Sequence, residues 1–194
     1  MKPAVRKSLA VSTVALLAVV AVSGCSDKKK APATLGADAT GSGDIPDTTQ
    51  YVPYQPPGAD FKVSTPEGWA RADASGRIVF TDRLNSITIE TAKPSTTPTI
   101  AEVKAHDVPT LPSRYPAFAL TDVKAIVRKA GPVILMTFKA DSAADPVTAK
   151  VIHQAVERYY YFRNGERVIL TLAGPATADN VDPWHTVSDS LHWL

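Results

Sequence analysis

The tetrapeptide Arg163-Asn164-Gly165-Glu166 constrains this chain more than any other stretch, because it joins two runs rich in β-branched and aromatic residues. Asn-Gly accepts the positive φ of a type I′ turn, whose twist matches that of paired strands. Val147 to Phe162 and Arg167 to Ala173 are therefore predicted to form an antiparallel hairpin. Further strand-like runs lie at Phe61 to Ser64, Arg77 to Thr81, Ser86 to Ala92, Phe118 to Arg128 and Val133 to Ala140. Most alternate with period two, and their short separations suit an antiparallel meander. Thr65-Pro66-Glu67-Gly68-Trp69 places Pro and Gly where a turn stops the first of these strands.

Two segments carry helical signals instead. Thr99-Ile100-Ala101-Glu102 has capping-box spacing, and Ile100 and Val103 then share a face. The terminal VDPWHTVSDSLHWL offers Asp182 as N-cap and Pro183 at the first helical position, with Trp184, Val187, Leu191 and Leu194 as an apolar stripe that docks on the sheet. The expected fold class is α+β: an antiparallel sheet of about six to seven strands flanked by helices, an α/β/α sandwich.

The N-terminus has a different chemistry. Lys2, Arg6 and Lys7 precede a charge-free apolar run from Leu9 to Val22, shorter than the ~20 residues that span a bilayer. That pattern is a secretory signal. The run ends in Val22-Ser23-Gly24-Cys25, small residues before the chain's single cysteine, which resembles the lipobox of bacterial lipoproteins. The resemblance implies cleavage before Cys25, a diacylglyceryl thioether on its sulfur and acylation, palmitate included, of the new N-terminus. Other roles for Cys25 conflict with its surroundings. A lone exported cysteine has no internal disulfide partner, and the residues that follow offer no base to activate a nucleophile. Acyl chains burying methylenes at about 0.8 kcal/mol each make Cys25 a tether to the membrane's extracytoplasmic face.

Lys+Arg total 21 against 19 Asp+Glu, and loss of the three signal cations leaves 18 against 19. A near-neutral mature chain lacks the clustered basic face that nucleic acid requires, so no nucleic-acid partner is expected. Lys28 to Lys30, the one basic cluster, either meet anionic head groups within a Debye length or simply begin a solvated linker. Ser26 to Ala59 is rich in Ala, Pro, Gly, Thr and Asp and reads as a disordered linker stiffened near Pro53, Pro56 and Pro57, with Tyr51 and Tyr54 expected to pack on the domain. The organisation is then a signal over 1–24, a lipidated linker over 25–59 and a globular domain over 60–194.

The segments FKVSTPEGW, RIVFTDRLNSITIE, YYYFRNGERVILTLAGP and DSLHWL, together with the lipobox, make the chain resemble the LpqN/LpqT family of actinobacterial lipoproteins, whose fold is PsbP-like. The resemblance spans most of the mature chain. It implies a cell-envelope lipoprotein of mycobacteria and their relatives that handles envelope lipid or docks other proteins, and it supplies no catalytic residues.

On an ideal wheel at ~100° per residue His185, Asp189 and His192 fall within about 60°, the outline of a two-nitrogen, one-oxygen metal face. The same wheel sets them opposite the apolar stripe, on the solvated side, so the expectation is no metal and no cofactor. Ser188 and Ser190 lack a nucleophile turn, and His106 and His153 read as ordinary polar residues. Alternation sends Tyr159 and Tyr161 to one face of their strand and Tyr160 and Phe162 to the other. Either helices cover both faces, or one pair, with Met136 and Phe138 from the neighbouring strand, lines an apolar groove for a partner or an acyl chain. The functional expectation is a non-enzymatic docking module of the envelope, the alternative a carrier of an apolar envelope lipid.

Overall fold

The computed structural model describes residues 42–93 and 96–194. Met1–Ala37 and Asp38–Leu194 separate into two compact units, and every described residue belongs to the second. The apolar N-terminal run, Cys25 and Lys28 to Lys30 lie outside the described residues.

Among the described residues ten strands and two α-helices follow one another: β1 (Tyr51–Tyr54), β2 (Phe61–Pro66), β3 (Ala70–Ala74), β4 (Arg77–Asp82), β5 (Asn85–Ala92), α1 (Ile100–Glu102), β6 (Ala119–Arg128), β7 (Gly131–Asp141), β8 (His153–Arg163), β9 (Glu166–Pro175), α2 (Val181–Ser190) and β10 (His192–Trp193). Seven strands form one antiparallel sheet in the order β3-β4-β5-β9-β8-β7-β6, and β1-β2-β10 form a smaller one. The predicted α+β class, an antiparallel sheet flanked by helices, is the architecture observed. The hairpin that anchors it pairs Arg163 with Glu166, and Asn164 (φ 50°) and Gly165 (φ 80°) take the positive angles a type I′ turn requires.

Alternation along β8 and β9 divides the core into two layers. On one face Tyr159, Tyr161, Val168, Leu170 and Leu172 meet Phe61 and Val63 of the small sheet and Trp184, Val187 and Leu191 at the C-terminal end. On the other face Val156, Tyr160, Ile169, Met136 and Phe138 meet Val103 and Leu111. The latter come from a helical stretch that starts at α1, widens into a π-helical turn over Val103–Asp107 and tightens to 3-10 geometry over Val108–Ser113. Its start is the predicted capping box: Thr99 Oγ1 accepts from Glu102 N at 3.1 Å, and Glu102 Oε2 accepts from Thr99 N at 2.9 Å. Pro109 and Pro112 forbid a regular α-ladder beyond it.

Three expectations are corrected. The chain joins the fold well before Asp60: Ile45 is buried, β1 pairs with β2 from Tyr51↔Pro66 to Tyr54↔Val63, and the Tyr54 ring stands edge-on to Phe80 at 5.0 Å. Residues 42–59 are thus not linker, and Tyr51 and Tyr54 do pack on the domain. Pro53 is tolerated because β1 is an edge strand whose proline lies exposed. Second, β8 begins at His153 and not Val147, because Asp145 Oδ1 accepts from Val147 N and Thr148 N at 3.0 and 2.7 Å and winds the preceding residues into a turn. Third, α2 starts after Asn180, which stands at the N-cap in place of Asp182, and ends at Ser190; Leu191 is extended (φ −60°, ψ 128°). Trp184, Val187 and Leu191 are buried as expected, whereas Leu194 lies beyond the helix and is exposed.

Asn180 has a structural task of its own. Its Oδ1 accepts from Ile45 N at 2.8 Å, and its Nδ2 donates to Asn85 Oδ1 at 3.0 Å and Gly43 O at 3.1 Å. Asn85 Nδ2 also donates to Gly43 O, at 2.8 Å. Gly174 runs beneath this knot, where a Cβ would stand 2.3 Å from Asn85 Oδ1, so only glycine fits.

Candidate functional site: an apolar recess at one end of the sheet

The two faces of the tyrosine run are closed by different means. Tyr161 Oη donates to Ser188 O of α2 at 2.5 Å, Tyr159 Oη donates to Glu157, and the Arg128 guanidinium lies 5.4 Å from the Tyr159 ring centre. Burial pushes the Tyr159 phenol up to about 12, with the Glu157 charge acting in the same direction, and burial likewise raises Tyr161 well above its ordinary value. Both rings are sealed away from solvent.

On the opposite face a charged cluster lies beneath the helical stretch. Arg158, 4% exposed, donates to Thr171 Oγ1 at 2.6 Å and Tyr160 Oη at 3.2 Å, and its Nη1 stands 2.7 Å from Glu90 Oε2. That last contact is an ion pair without hydrogen-bond alignment, since Glu90 Oε2 has no hydrogen-bond partner. Arg114 Nη1 donates to Glu90 Oε1 at 2.8 Å. Burial pushes the Glu90 carboxyl up, but Arg158 and Arg114 together outweigh it and hold the group below the ordinary glutamate range. The sequence carried a sign of this cluster: period two puts Arg158 on the same face as Tyr160 and Phe162, and a guanidinium inside an apolar face needs an acid across the sheet.

Beyond the cluster the helical cover runs out. Tyr115 and Phe118 close over Phe138, each at 5.0 Å between ring centres, and among the described residues the cover toward the β6–β7 turn thins to Thr97 and Pro98. There Ala125, Pro132, Ile134, Tyr160 and Phe162, walled by Pro98, line an open recess of about 180 Å³. Val127, on the same side of β6 by alternation, is 75% exposed beside it.

The structure therefore separates the residues singled out in the sequence. Tyr160 and Phe162 reach the recess; Met136 and Phe138, 0% and 2% exposed, are core beneath the helical stretch and line no groove; Tyr159 and Tyr161 are core on the other face. Val127, Pro132 and Ile134 were missed because the apolar residues of β6 and β7 looked like ordinary strand interior.

The metal face is not assembled. His192 belongs to β10 and has left the helix, His185 is exposed, and Asp189 accepts from Lys129 N at 3.0 Å with Lys129 Nζ also 3.0 Å away. Among the described residues no three His, Cys, Asp or Glu side chains gather closely enough to hold a metal. Ser188 is fully buried and Ser190 Oγ accepts from Ser64 N at 2.8 Å, so both serve packing. His153 Nδ1 lies 2.5 Å from Asp141 Oδ1 at the base of the β7–β8 loop, and His106 is exposed.

No family model matches the chain, and no curated protein sequence matches it. Solved structures do. The cyanobacterial PsbP of Synechocystis sp. PCC 6803 superposes with a TM-score of 0.56 at 15% identity, over 78% of this chain and 98% of that one. The Ran-binding protein Mog1p of Saccharomyces cerevisiae gives 0.51 at 10% identity, over 75% and 96%. LpqN of Mycobacterium tuberculosis, described as involved in cell envelope biogenesis, gives 0.41 at 16% identity, over 75% and 91%. At these identities the first two likenesses speak for the fold, and the architecture of this chain is PsbP-like.

Proposed function

We propose that the chain is a non-enzymatic docking module of the cell envelope, of the LpqN/LpqT kind, tethered by lipid on Cys25 and receiving apolar side chains of a protein partner in the Tyr160/Phe162 recess. The observation that carries the docking reading is the recess itself: an apolar, open hollow of about 180 Å³ on a sheet face that the helical stretch leaves bare. Sites for small molecules occupy roughly 300–1,000 Å³. This one is below that range and suits one or two side chains. The carrier reading needs a long apolar cavity, and a larger hollow, about 520 Å³ beside the β7–β8 loop, mixes Leu84, Pro146 and Ile152 with Arg83, Asp145 and Lys150. Charges of both signs suit water and polar groups, not an acyl chain.

The test is a photo-crosslinking side chain at Thr97, on the rim of the recess, and at Val147, exposed on a distant loop, in the full chain expressed in its own envelope. Docking gives a discrete protein adduct at position 97, absent at 147 and lost when Ile134→Asp is added. An adduct with lipid at position 97 would transfer the argument to the carrier, and adducts of equal yield at both positions would sink the recess as a site. The tether is tested separately: Cys25→Ala is expected to move the protein out of the membrane fraction or leave it unprocessed, and full membrane retention of a correctly cleaved alanine variant would end that part of the proposal.

A further inference from the structure

The seven-stranded sheet ends on one side in β6, a ten-residue strand that among the described residues pairs only with β7. Its outward backbone groups follow from one residue. Pro132 has no N–H, so Val127↔Pro132 cannot be a doubly bonded pair, and Arg128↔Gly131 across the two-residue turn must be one. The N–H and C=O of Asp122, Lys124, Ile126 and Arg128 then point into the ladder with β7, and those of Val123, Ala125 and Val127 point away from it. In agreement, the Val127 carbonyl accepts from the Arg128 side chain, Nη1 at 3.3 Å, and from no strand. A bulge between Leu120 and Asp122 limits the regular edge to residues 122–128.

We infer that this edge pairs antiparallel with β6 of a second copy of the chain, about a two-fold axis at Ala125. Outward groups must face outward groups, which puts the axis on Val123, Ala125 or Val127. An axis at Val123 runs the partner strand onto the bulge, and one at Val127 leaves only a few pairs. At Ala125 the whole regular run is used. Asp122 then stands opposite Arg128 of the second copy at both ends of the pairing, and Val123 stands opposite Val127; to meet, Asp122 exchanges its contact with Lys124 Nζ at 3.6 Å, and Arg128 exchanges its bonds to Ser188 Oγ, Tyr159 Oη and the Val127 carbonyl. Charge complementarity at both ends distinguishes a second copy from an unrelated extended segment, which has no reason to carry a base and an acid at that spacing. The pairing also buries Val127, places the two apolar strips Val123-Ala125-Val127 side by side, and leaves both recesses open on one continuous face. It is independent of what the recess binds.

The full chain in mild detergent is compared with four variants by sedimentation and by oxidation to disulfide. In a bonded antiparallel pair the Cα atoms are about 5.5 Å apart, within disulfide reach, so Ala125→Cys is expected to give a covalent dimer well above the yield of the parent chain, whose Cys25 is the background, and of Val147→Cys. Ala125→Pro removes only an outward N–H, so it spares the β6–β7 ladder while weakening self-association at least about tenfold. Val127→Lys, at an exposed position, is expected to do the same without touching the fold. A parent chain that sediments as a monomer at every concentration, or Ala125→Cys that crosslinks no better than Val147→Cys, would overturn the proposal. So would an association that Val127→Lys leaves unchanged.

Discussion

One face of the seven-stranded sheet is closed over its tyrosines, Tyr159 and Tyr161, and the other is closed over Met136 and Phe138 but not over Phe162. On the first, α2 and the small sheet bring Trp184, Val187, Leu191, Phe61 and Val63 down onto Tyr159 and Tyr161. On the second, the helical stretch from Thr99 covers Met136, Phe138 and the Arg158–Glu90 pair, then leaves Ile134, Phe162 and Val127 in contact with solvent. Both faces are built from the same strands by the same alternation. What differs is the cover: a ten-residue amphipathic helix and three strands on one side, a short stretch broken by Pro109 and Pro112 on the other. A chain that needed both faces only for stability would gain from extending the shorter cover, so the bare end is where binding is sought.

Stability measurements can break that contrast. Trp184→Ala on the closed face is expected to cost about 3–5 kcal/mol in denaturant melts, and Phe162→Ala at the bare end markedly less, because its ring is already partly exposed. Equal losses would mean that the bare end is as well packed as the rest. Next comes Glu90→Gln, expected to cost about 3 kcal/mol by leaving Arg158 buried without its anion. Its pH signature has a definite sign. Glu90 titrates lower in the folded chain than its ordinary 4.5, so its contribution is complete above that value and disappears as pH falls below it. The variant is therefore expected to lose less stability than the parent on acidification through that window, and parallel curves would show that the pair does not act as an ion pair. Tyr161→Phe, which deletes the bond to Ser188, is worth about 1 kcal/mol. Smallest are His185→Ala and Val127→Lys, expected within about 0.5 kcal/mol; a large loss at either would place it in a packed layer and not at the surface.

Much of this architecture is legible in period-two patterning. Arg163-Asn164-Gly165-Glu166 sets the hairpin register, the register sets which tyrosines share a face, and Thr99-Ile100-Ala101-Glu102 sets where the cover begins. Reading fails where a few residues are held by distant ones. Tyr51–Tyr54 looks like linker because proline and glycine dominate its neighbourhood, yet it becomes a strand once β2 offers its edge and Phe80 receives Tyr54. The helical wheel that united His185, Asp189 and His192 assumed a helix running to the last residue, whereas Leu191 turns extended so that β10 can pair Trp193 with Phe61. The recess was half legible: parity identified Tyr160 and Phe162, but only the length of the cover shows that Met136 and Phe138 lie beneath it.

The asparagine knot also carries information about time. Ile45 reaches Asn180 across 135 residues, Phe61 pairs with Trp193, and Leu194 N donates to Asp60 O at 2.8 Å. None of these contacts exists until the C-terminal residues are available, and each closes a very long loop, whereas the meander from β6 to β9 can assemble from neighbours as the chain lengthens. Folding is therefore expected to finish at residues 42–66, whose local β1–β2 pair waits undocked until α2 and β10 arrive. A chaperone that guards the unfinished chain would have that early segment as its charge, and release would follow the clasp at Asn180.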